Sequence, residues 1–377
     1  MLPYIFVFSI CLILSFFVDH STKNGLIDKK NIIYCSIIVL ILSLMAAFRN
    51  DDIGKDIVVY VIPLCKWAKA FDLHSYLKKG DIEIGFKIIT YVIVNLFGNY
   101  KFLLFFIELI ISSGFVKYFL DLRKKYDISF FLSMIIFLFY IYNDSFTMMR
   151  QLIAVVLIIN SYEYLFEKKY VKTVVLFIVS TMFHSSSYIA LFGYLFIVIN
   201  SFELLSSKYK NYLNAISLAV FMLLIFSYKK LPIFQNMDKV STYLNSSYSL
   251  DNIVISKSLL IIKLLFIVIA LIYILANKKK DSKAGVYFLF LVIDFSIYLA
   301  SLKLNPLSRF GFYFIYPAII YFASAVKLVF NKKSRSMVCG AIAILFIFNW
   351  FFNYVINSTS SNTVPYKSDI MRINVEK

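Results

Sequence analysis

Long apolar runs alternate with short polar segments along most of the chain. A membrane-spanning helix needs about 20 mostly apolar residues, because each residue advances about 1.5 Å through a hydrocarbon core of about 30 Å. Twelve runs reach or approach this length: 2–18, 31–48, 101–120, 128–142, 148–166, 171–183, 187–200, 212–228, 258–276, 284–303, 310–330 and 337–356. The pattern predicts an all-α, polytopic integral membrane protein with about 12 transmembrane helices.

One further apolar stretch, 84–97, is too short to cross a membrane. As a helix it would extend about 21 Å, against a core of about 30 Å. We expect it to form a short non-spanning helix at the outer face. When it is left out of the count, the clustered lysines and arginines fall in alternate connections, which the positive-inside rule places in the cytoplasm. These clusters occupy 23–30, 123–125, 168–169, 208–210, 278–283 and 332–335.

The opposite set of connections contains two long loops, residues 49–100 and 229–257. Both are predicted to face outward, into the periplasm or the extracellular space, and twelve spans also place the N-terminus outside. The run 2–18 lacks a basic leader and a small-residue cleavage site, so we expect a retained helix rather than a signal peptide. Because no internal repeat or low-complexity linker is found, residues 1–377 are predicted to form a single integral membrane domain.

The composition excludes a soluble globular fold. Hydrophobic residues make up 61% of the 377 residues, with 40 Phe and 28 Tyr, and the mean hydropathy is +0.79. The net charge of +18 does not indicate nucleic-acid binding, because lysine and arginine lie in short clusters between apolar runs. The four cysteines show no paired spacing, so neither a disulfide framework nor a thiolate metal site is predicted.

Three arginines and a histidine lie where predicted helices meet the outer surface. Arg49 ends the second apolar run, and His184 follows the run 171–183. Arg150 and Arg309 each lie at the start of a later run. Arginine suits phosphate because its planar guanidinium donates two parallel hydrogen bonds and stays charged. The three arginines therefore indicate a site for a lipid-linked phosphate or pyrophosphate. The alternative is that each one extends separately to lipid headgroups.

His184 begins the turn sequence HSSS, which separates two apolar segments of about 20 Å each. Segments this short reach across the membrane only if the turn lies below the outer surface. Polar backbone at that depth is tolerated where it is buried in protein or lines a wet cavity. A recessed histidine would suit substrate binding or proton transfer near neutral pH. The alternative is a histidine hydrogen-bonded to its own turn.

Two pairs of polar residues in the loop 49–100 are four positions apart, so each pair would share a helical face. Asp56 and Tyr60 form one pair. Glu83 and Lys87 form the other, for which a structural ion pair is the simpler role. Asp56 also follows two other aspartates, a pattern that loosely resembles a divalent-cation site. Because carboxylates at irregular loop spacing are more typical of a solvated segment, no metal is predicted.

Several short motifs follow one another in a familiar order. They are Arg49, the run Ile53-Gly54-Lys55-Asp56 leading to Tyr60, Glu83-Ile84-Gly85-Phe86, MRQLIAVVL from position 149 and FHSSSYIAL from position 183. This order resembles the EpsG and Wzy type bacterial polysaccharide polymerases over roughly residues 45–195, and SRFGFYF around Arg309 matches in character. The chain departs from the family's usual pattern at Lys55, where a threonine is common, and at Ile84, where a proline is common.

The resemblance implies a GT-C-type glycosyltransferase on the outer face of the bacterial inner (cytoplasmic) membrane. Such an enzyme transfers a growing glycan from undecaprenyl pyrophosphate to a sugar hydroxyl of the next lipid-linked repeat unit. The product would be an O-antigen of lipopolysaccharide, a capsule or an exopolysaccharide. The implied partners are lipid-linked oligosaccharides and membrane lipid, with a chain-length regulator protein as an open option; no cofactor, metal or nucleic acid is expected.

The resemblance also implies roles for individual residues. Arg150 and Arg309 would stabilise the negative charge that develops on the departing pyrophosphate. Arg49 would hold the pyrophosphate of the acceptor, and Tyr60 would contact the pyrophosphate or the glycan. The attacking hydroxyl needs a proton acceptor, and the candidates, which the sequence does not rank, are Asp56, His184 and Glu83.

Two other functions remain open at this stage. A flippase or exporter of the same lipid-linked sugar would also be a basic protein of about twelve spans, but its charges would line a path through both leaflets. A membrane O-acyltransferase that modifies the polysaccharide would place its histidine and arginine nearer the side where the acyl donor enters.

Overall fold

The computed structural model describes residues 1–21, 28–54, 56–126, 128–227, 257–276, 282–302, 305–329, 332–356 and 362–373. Within these residues all regular structure is helical, apart from one isolated β-bridge between Ser368 and Ile373. The prediction of an all-α chain is therefore confirmed for the described part.

Fifteen α-helices are found among the described residues. They are α1 (Leu2–Ser21), α2 (Lys29–Phe48), α3 (Ile62–Ala70), α4 (Leu73–Leu77), α5 (Ile84–Phe97), α6 (Tyr100–Tyr126), α7 (Phe130–Ile136), α8 (Met149–Phe166), α9 (Tyr170–Phe183), α10 (Ala190–Ser201), α11 (Ser207–Phe226), α12 (Lys257–Ala276), α13 (Ser282–Ser301), α14 (Phe312–Val329) and α15 (Lys332–Trp350). Short 3-10 or π-helical segments extend several of them: Ile57–Val61, Phe137–Ile141, Tyr142–Phe146, Ser185–Ile189, Asn305–Gly311 and Phe351–Ile356.

Each of the twelve predicted apolar runs coincides with one of these helices or with a helix and its extension. Seven helices of the described residues are long and apolar enough to cross a membrane: α1, α2, α6, α11, α12, α13 and α15 with its extension. The described residues also contain shorter apolar helices: α5, α7 with its extensions, α9, α10 with its extension, and the first part of α14. The chain is therefore a multi-pass membrane protein.

The first predicted outer loop is mostly helical. Residues 49–100 contain the π-helical segment Ile57–Val61, the helices α3 and α4, and the 14-residue helix α5. α5 packs against α3 of the same loop region and against α6. The region is therefore a set of packed helices rather than an irregular loop. The second predicted loop, 229–257, lies outside the described residues except for its last position, which begins α12.

The chain divides into two compact units. The first unit contains residues 1–160, 175–185 and 332–377. In it, α2 packs against α1 and α6, while α7 packs against α1 and α15. The second unit contains residues 161–174 and 186–331. Its central helix is α13, which packs against α10, α11, α12, α14 and the segment Asn305–Gly311.

A buried polar cluster joins three helix ends in the first unit. Asp19, near the end of α1, forms an ion pair with Arg123 of α6. The same carboxylate accepts hydrogen bonds from the Ser129 hydroxyl (2.7 Å) and from the backbone N–H groups of Phe130 (2.9 Å) and Phe131 (3.1 Å). The first N–H groups of a helix lack partners within the helix, so Asp19 caps α7 while it neutralises Arg123.

The second unit has its own buried charges. Lys263 of α12 and Asp294 of α13 form an ion pair, and both residues are buried. Gly311 lies against this pair, because a Cβ atom at that position would be 2.1 Å from Oδ1 of Asp294. A residue with a side chain would therefore displace either the carboxylate or the segment Asn305–Gly311. The ion pair and the glycine together fix that segment on α13.

Replacing Asp19 by Ala should destabilise the first unit, because the change leaves the buried guanidinium of Arg123 without its carboxylate and the N–H groups of Phe130 and Phe131 without their acceptor. We expect a loss of about 3 kcal/mol in the free energy of unfolding. The matched control is Asp121→Ala, which removes the exposed pair with Lys117 on α6 and should cost about 0.5 kcal/mol or less. The thermal midpoint of the detergent-purified protein measures both, and equal shifts would contradict the assigned role of Asp19.

Candidate functional site

The site is built in the first unit, where predicted residues lie at the ends of helices. Arg49 directly follows α2, and Glu83 directly precedes α5. Arg150 lies in the first turn of α8, and His184 directly follows α9. Helix ends are natural places for charged side chains in an apolar chain, because the backbone there has unpaired polar groups. Four separate parts of the sequence thus contribute polar groups from helix termini.

Arg150 is held between a carboxylate and an aromatic ring. Its guanidinium forms an ion pair with Glu83 and lies over the ring of Tyr60, 4.5 Å from the ring centroid. The side chains of Arg150 and Glu83 are 20% and 12% exposed, so the pair is largely shielded from solvent. Because the ring face restrains the plane of the guanidinium and the carboxylate restrains one edge of it, the direction of the remaining N–H groups is fixed.

Tyr60 connects Arg150 to Asp56. The Tyr60 hydroxyl donates a hydrogen bond of 2.5 Å to Oδ2 of Asp56, as their spacing of four residues predicted. The side chain of Tyr60 is 7% exposed. Burial, and then the neighbouring Asp56 carboxylate, raise the pKa of Tyr60 well above its usual value, although Arg150 opposes the shift. The phenol therefore remains a hydrogen-bond donor at physiological pH.

The turn that begins at His184 adjoins Glu83. The backbone N–H of Ser185 donates to Oε1 of Glu83 at 3.4 Å. Close approach of the two helices is possible because residue 85 is glycine: a Cβ atom there would be 2.7 Å from the carbonyl oxygen of Met182. His184 itself is partly buried and its N–H continues the backbone bonding of α9. The structure therefore brings the histidine turn to the same carboxylate that orients Arg150.

Arg49 is placed differently from Arg150. It is only 1% exposed, and its guanidinium donates to the carbonyl oxygens of Ala46 (2.7 Å) and Ile53 (3.1 Å). The guanidinium also lies 4.2 Å from the ring centroid of Phe146 and 3.7 Å from Sδ of Met149. Arg49 therefore folds the residues after α2 back onto the helix and contacts the residue that precedes Arg150.

The loop of residues 49–54, called here the arginine loop, ends in a glycine that its path requires. Gly54 has φ = +85°, and a Cβ atom there would lie 2.3 Å from the carbonyl oxygen of Phe146. L-residues with side chains disfavour this backbone region. The loop consequently passes in direct contact with the backbone just before α8, which brings Asp56 and Tyr60 towards Arg150.

The three aspartates of this region have different partners. Asp51 accepts hydrogen bonds from the Tyr100 hydroxyl (2.6 Å) and Lys101 (3.0 Å). Partial burial acts to raise its pKa, but these hydrogen bonds prevail and hold the pKa of Asp51 below its usual value. Asp52 pairs with Lys367, and Asp56 binds Tyr60. Among the described residues, no group of three His, Cys, Asp or Glu side chains is placed to hold a metal ion.

One feature of this site, the partner of Glu83, was not predicted from the sequence. Glu83 pairs with Arg150, 67 residues away, whereas the spacing had favoured Lys87 as its partner. The Lys87 ammonium instead donates to the carbonyl oxygens of Leu77 (2.9 Å) and Gly80 (2.8 Å). Arg309, the remaining predicted residue, lies in the segment Asn305–Gly311 of the second unit.

A sequence profile of the EpsG family matches residues 32–368 of this chain. The chain belongs to the EpsG family. A search of the curated proteins found no match, and a search of the solved structures found none either. The matched region contains every residue of the cluster around Arg150 as well as Arg309. Membership of the EpsG family suggests a polysaccharide polymerase role in a membrane.

Replacing Gly54 by Ala should destabilise the protein and displace the arginine loop, because the new Cβ atom would collide with the backbone of Phe146. Gly98→Ala is the matched control: Gly98 has φ = +72° but no heavy atom within 4 Å of its Cβ position. The control carries only the conformational cost, about 1 kcal/mol, and Gly54→Ala should cost at least about twice as much. Equal losses in thermal midpoint would show that the close approach at Gly54 is unimportant.

Proposed function

We propose that this EpsG family member is a polysaccharide polymerase, a GT-C-type glycosyltransferase that lengthens a lipid-linked glycan. The donor is a growing glycan on undecaprenyl pyrophosphate, and the acceptor is a sugar hydroxyl of the next lipid-linked repeat unit. The observation that carries the proposal is the contact of Arg150 with Glu83 and Tyr60, because it provides an oriented guanidinium next to a carboxylate–phenol pair. Pyrophosphate release and hydroxyl activation need these two kinds of group.

Arg150 is proposed to bind the pyrophosphate of the donor. A guanidinium has five N–H donors, and a carboxylate occupies at most two of them. The contact with Glu83 therefore leaves donors for phosphate oxygens, while it fixes their direction. As the bond between C1 of the sugar and the pyrophosphate oxygen breaks, the electron pair leaves with the pyrophosphate. A guanidinium already in place stabilises that charge without reorganising.

Asp56 is proposed to accept the proton of the attacking hydroxyl. The hydroxyl oxygen forms the new bond to C1, and its proton passes to the carboxylate. Asp56 is favoured over Glu83, because the carboxylate of Glu83 pairs with Arg150 and also accepts from the N–H of Ser185. Glu83 is then a positioning residue. His184, which begins the adjoining turn, is the other candidate for the proton acceptor.

The remaining arginines receive different proposed roles. Arg49 is 1% exposed and donates to backbone carbonyls, so we assign it to positioning the arginine loop and Met149 rather than to contact with the acceptor's pyrophosphate. Arg309 is still proposed, on the family resemblance alone, to bind pyrophosphate; it lies in a segment of the second unit that the close approach of Gly311 to Asp294 fixes on α13.

The proposed topology has twelve spans in a single integral domain of the bacterial inner membrane, with the site on the outer face. The positions of charges in the first unit support this orientation. α6 ends in Arg123, Lys124 and Lys125, which the positive-inside rule assigns to the cytoplasm. The opposite end of α6 begins at Tyr100, which binds Asp51 of the arginine loop. α5 would lie at the outer surface.

Replacing Arg150 or Arg309 by Ala should abolish polymer while the protein stays inserted in the membrane. Lysine at either position should restore little, because an ammonium lacks the planar, bidentate donor geometry. Arg335→Ala is the control, since this arginine lies in the first turn of α15, in a cluster predicted to face the cytoplasm. Glycan ladders from cells that carry each variant measure the effect. Full-length chains in both alanine variants would refute the pyrophosphate role.

Replacing Asp56 by Asn should lower turnover by a factor of about 10² or more, with the donor KM little changed, because the base acts on the acceptor. Asp72→Asn, in the same loop region, is the control: Asp72 is exposed and caps α4, and asparagine caps equally well. The dependence of turnover on pH distinguishes the two proton acceptors. If His184 were the proton acceptor, turnover of the wild type would fall below about pH 6.5, and the residual turnover of His184→Gln would not show this fall. That result would assign the role to His184 and overturn Asp56.

A further inference from the structure

The last described segment of the chain, residues 362–373 and called here the C-terminal tail, is bound to the first unit. In this tail Thr363 and Ser368 are 0% exposed and Tyr366 is 1% exposed. Burial of this extent shows that the tail is part of the packed structure of the first unit.

One end of the tail is anchored in a buried polar network. The carbonyl oxygen of Thr363 accepts a hydrogen bond of 2.7 Å from the hydroxyl of Tyr4 in α1. The Thr363 hydroxyl accepts from Nδ2 of Asn143 at 2.9 Å, and Oδ1 of Asn143 accepts from Nε1 of Trp350 at 2.8 Å. Buried polar atoms of this kind are costly to leave unpaired, so the network holds the start of the tail in place.

The middle of the tail caps α2. The last four carbonyl groups of a helix have no partner within the helix. The hydroxyl of Tyr366 donates to the carbonyl oxygen of Met45 at 2.8 Å, and the hydroxyl of Ser368 donates to that of Phe48 at 2.6 Å. Arg49 donates to Ala46, which lies between them. The end of α2, where the arginine loop begins, is therefore completed by side chains from the tail.

The tail also pairs with the arginine loop itself. The N–H of Asn50 donates to the carbonyl oxygen of Lys367 at 3.0 Å. The Asn50 side chain accepts from the N–H of Asp369 (2.8 Å) and donates to its carboxylate (3.1 Å). Lys367 forms the ion pair with Asp52. The loop thus has the tail on one side, while Arg49 and Gly54 tie it to Met149 and Phe146 on the other.

We propose that the C-terminal tail is a positioning element of the site. It acts through Tyr366 and Ser368, which cap α2, and through its hydrogen bonds with Asn50 of the arginine loop. It fixes the arginine loop so that Asp56 and Tyr60, which directly follow the loop, are aligned with Arg150. The proposal rests on the polymerase function above. The ion pair of Arg150 with Glu83 joins α8 to the residue before α5 and so persists when the arginine loop shifts. Loss of the tail contacts should therefore misplace the proton acceptor more than it weakens donor binding.

The kinetic test uses full-length variants reconstituted in lipid vesicles with a lipid-linked repeat unit as substrate. Tyr366→Phe removes one hydroxyl without a change in ring volume, and Ser368→Ala removes the other. We expect turnover to fall by about tenfold or more in each, since small misplacements of reacting groups are costly, with the donor KM within about twofold. Ser368→Thr, which retains the hydroxyl, should recover turnover. Ile370→Ala is the control, because Ile370 is 59% exposed in the same tail.

Three kinetic outcomes would overturn the proposal. The first is turnover equal to that of Ile370→Ala in both Tyr366→Phe and Ser368→Ala. The second is a raised donor KM with unchanged turnover. The third is a loss of turnover that follows a loss of thermal midpoint and is not recovered by Ser368→Thr, which would reduce the tail to a purely stabilising role.

Hydrogen exchange separates this proposal from the proposed function. In Ser368→Ala, amide exchange over residues 49–60 should increase, while exchange in α6 stays as in the wild type. Increased exchange together with a wild type that forms no polymer would refute the polymerase function but leave the tail contacts supported. Unchanged exchange over residues 49–60, in a variant of an active polymerase, would refute the tail proposal alone.

Discussion

The ion pair between Arg150 and Glu83 is the contact on which the site depends. A charge that is largely removed from water is costly alone and becomes tolerable when an opposite charge and hydrogen bonds accompany it. Glu83 meets this need from the start of α5, and Tyr60 adds its ring face. The pairing therefore joins the loop region 49–100 to α8. It also presents a guanidinium with a fixed direction, which is what the proposed binding of pyrophosphate requires.

Close backbone contacts make this pairing possible. Gly54 lets the arginine loop touch the backbone of Phe146, and Gly85 lets α5 approach the end of α9 at Met182. Neither contact would tolerate a Cβ atom without a shift of the main chain. The C-terminal tail completes the arrangement by capping α2 beside the same loop. The contact of Gly54 with Phe146 and the contacts of the tail with the end of α2 thus together fix the segment that leads to Asp56.

Features with a local origin were the ones that the sequence predicted. Apolar runs located the helices, because burial in lipid requires an unbroken apolar length, and the four-residue spacing of Asp56 and Tyr60 predicted their contact. Long-range choices were not predictable in this way. The spacing of four residues favoured Lys87 as the partner of Glu83, whereas the structure pairs Glu83 with Arg150. This choice depends on how α5 packs against its neighbours, which the local sequence does not show. The burial of Arg49 and the binding of the tail also depend on long-range packing. The local sequence does not show either of them.

Binding of undecaprenyl pyrophosphate to the purified protein tests the central claim most directly, since it isolates the guanidinium from the later chemistry. We expect saturable binding by the wild type and by Asp56→Asn with similar affinity. Arg150→Ala should bind at least about tenfold more weakly, which corresponds to about 1.4 kcal/mol. Equal binding by Arg150→Ala and the wild type would contradict the account, because the oriented guanidinium would then have no part in holding the pyrophosphate.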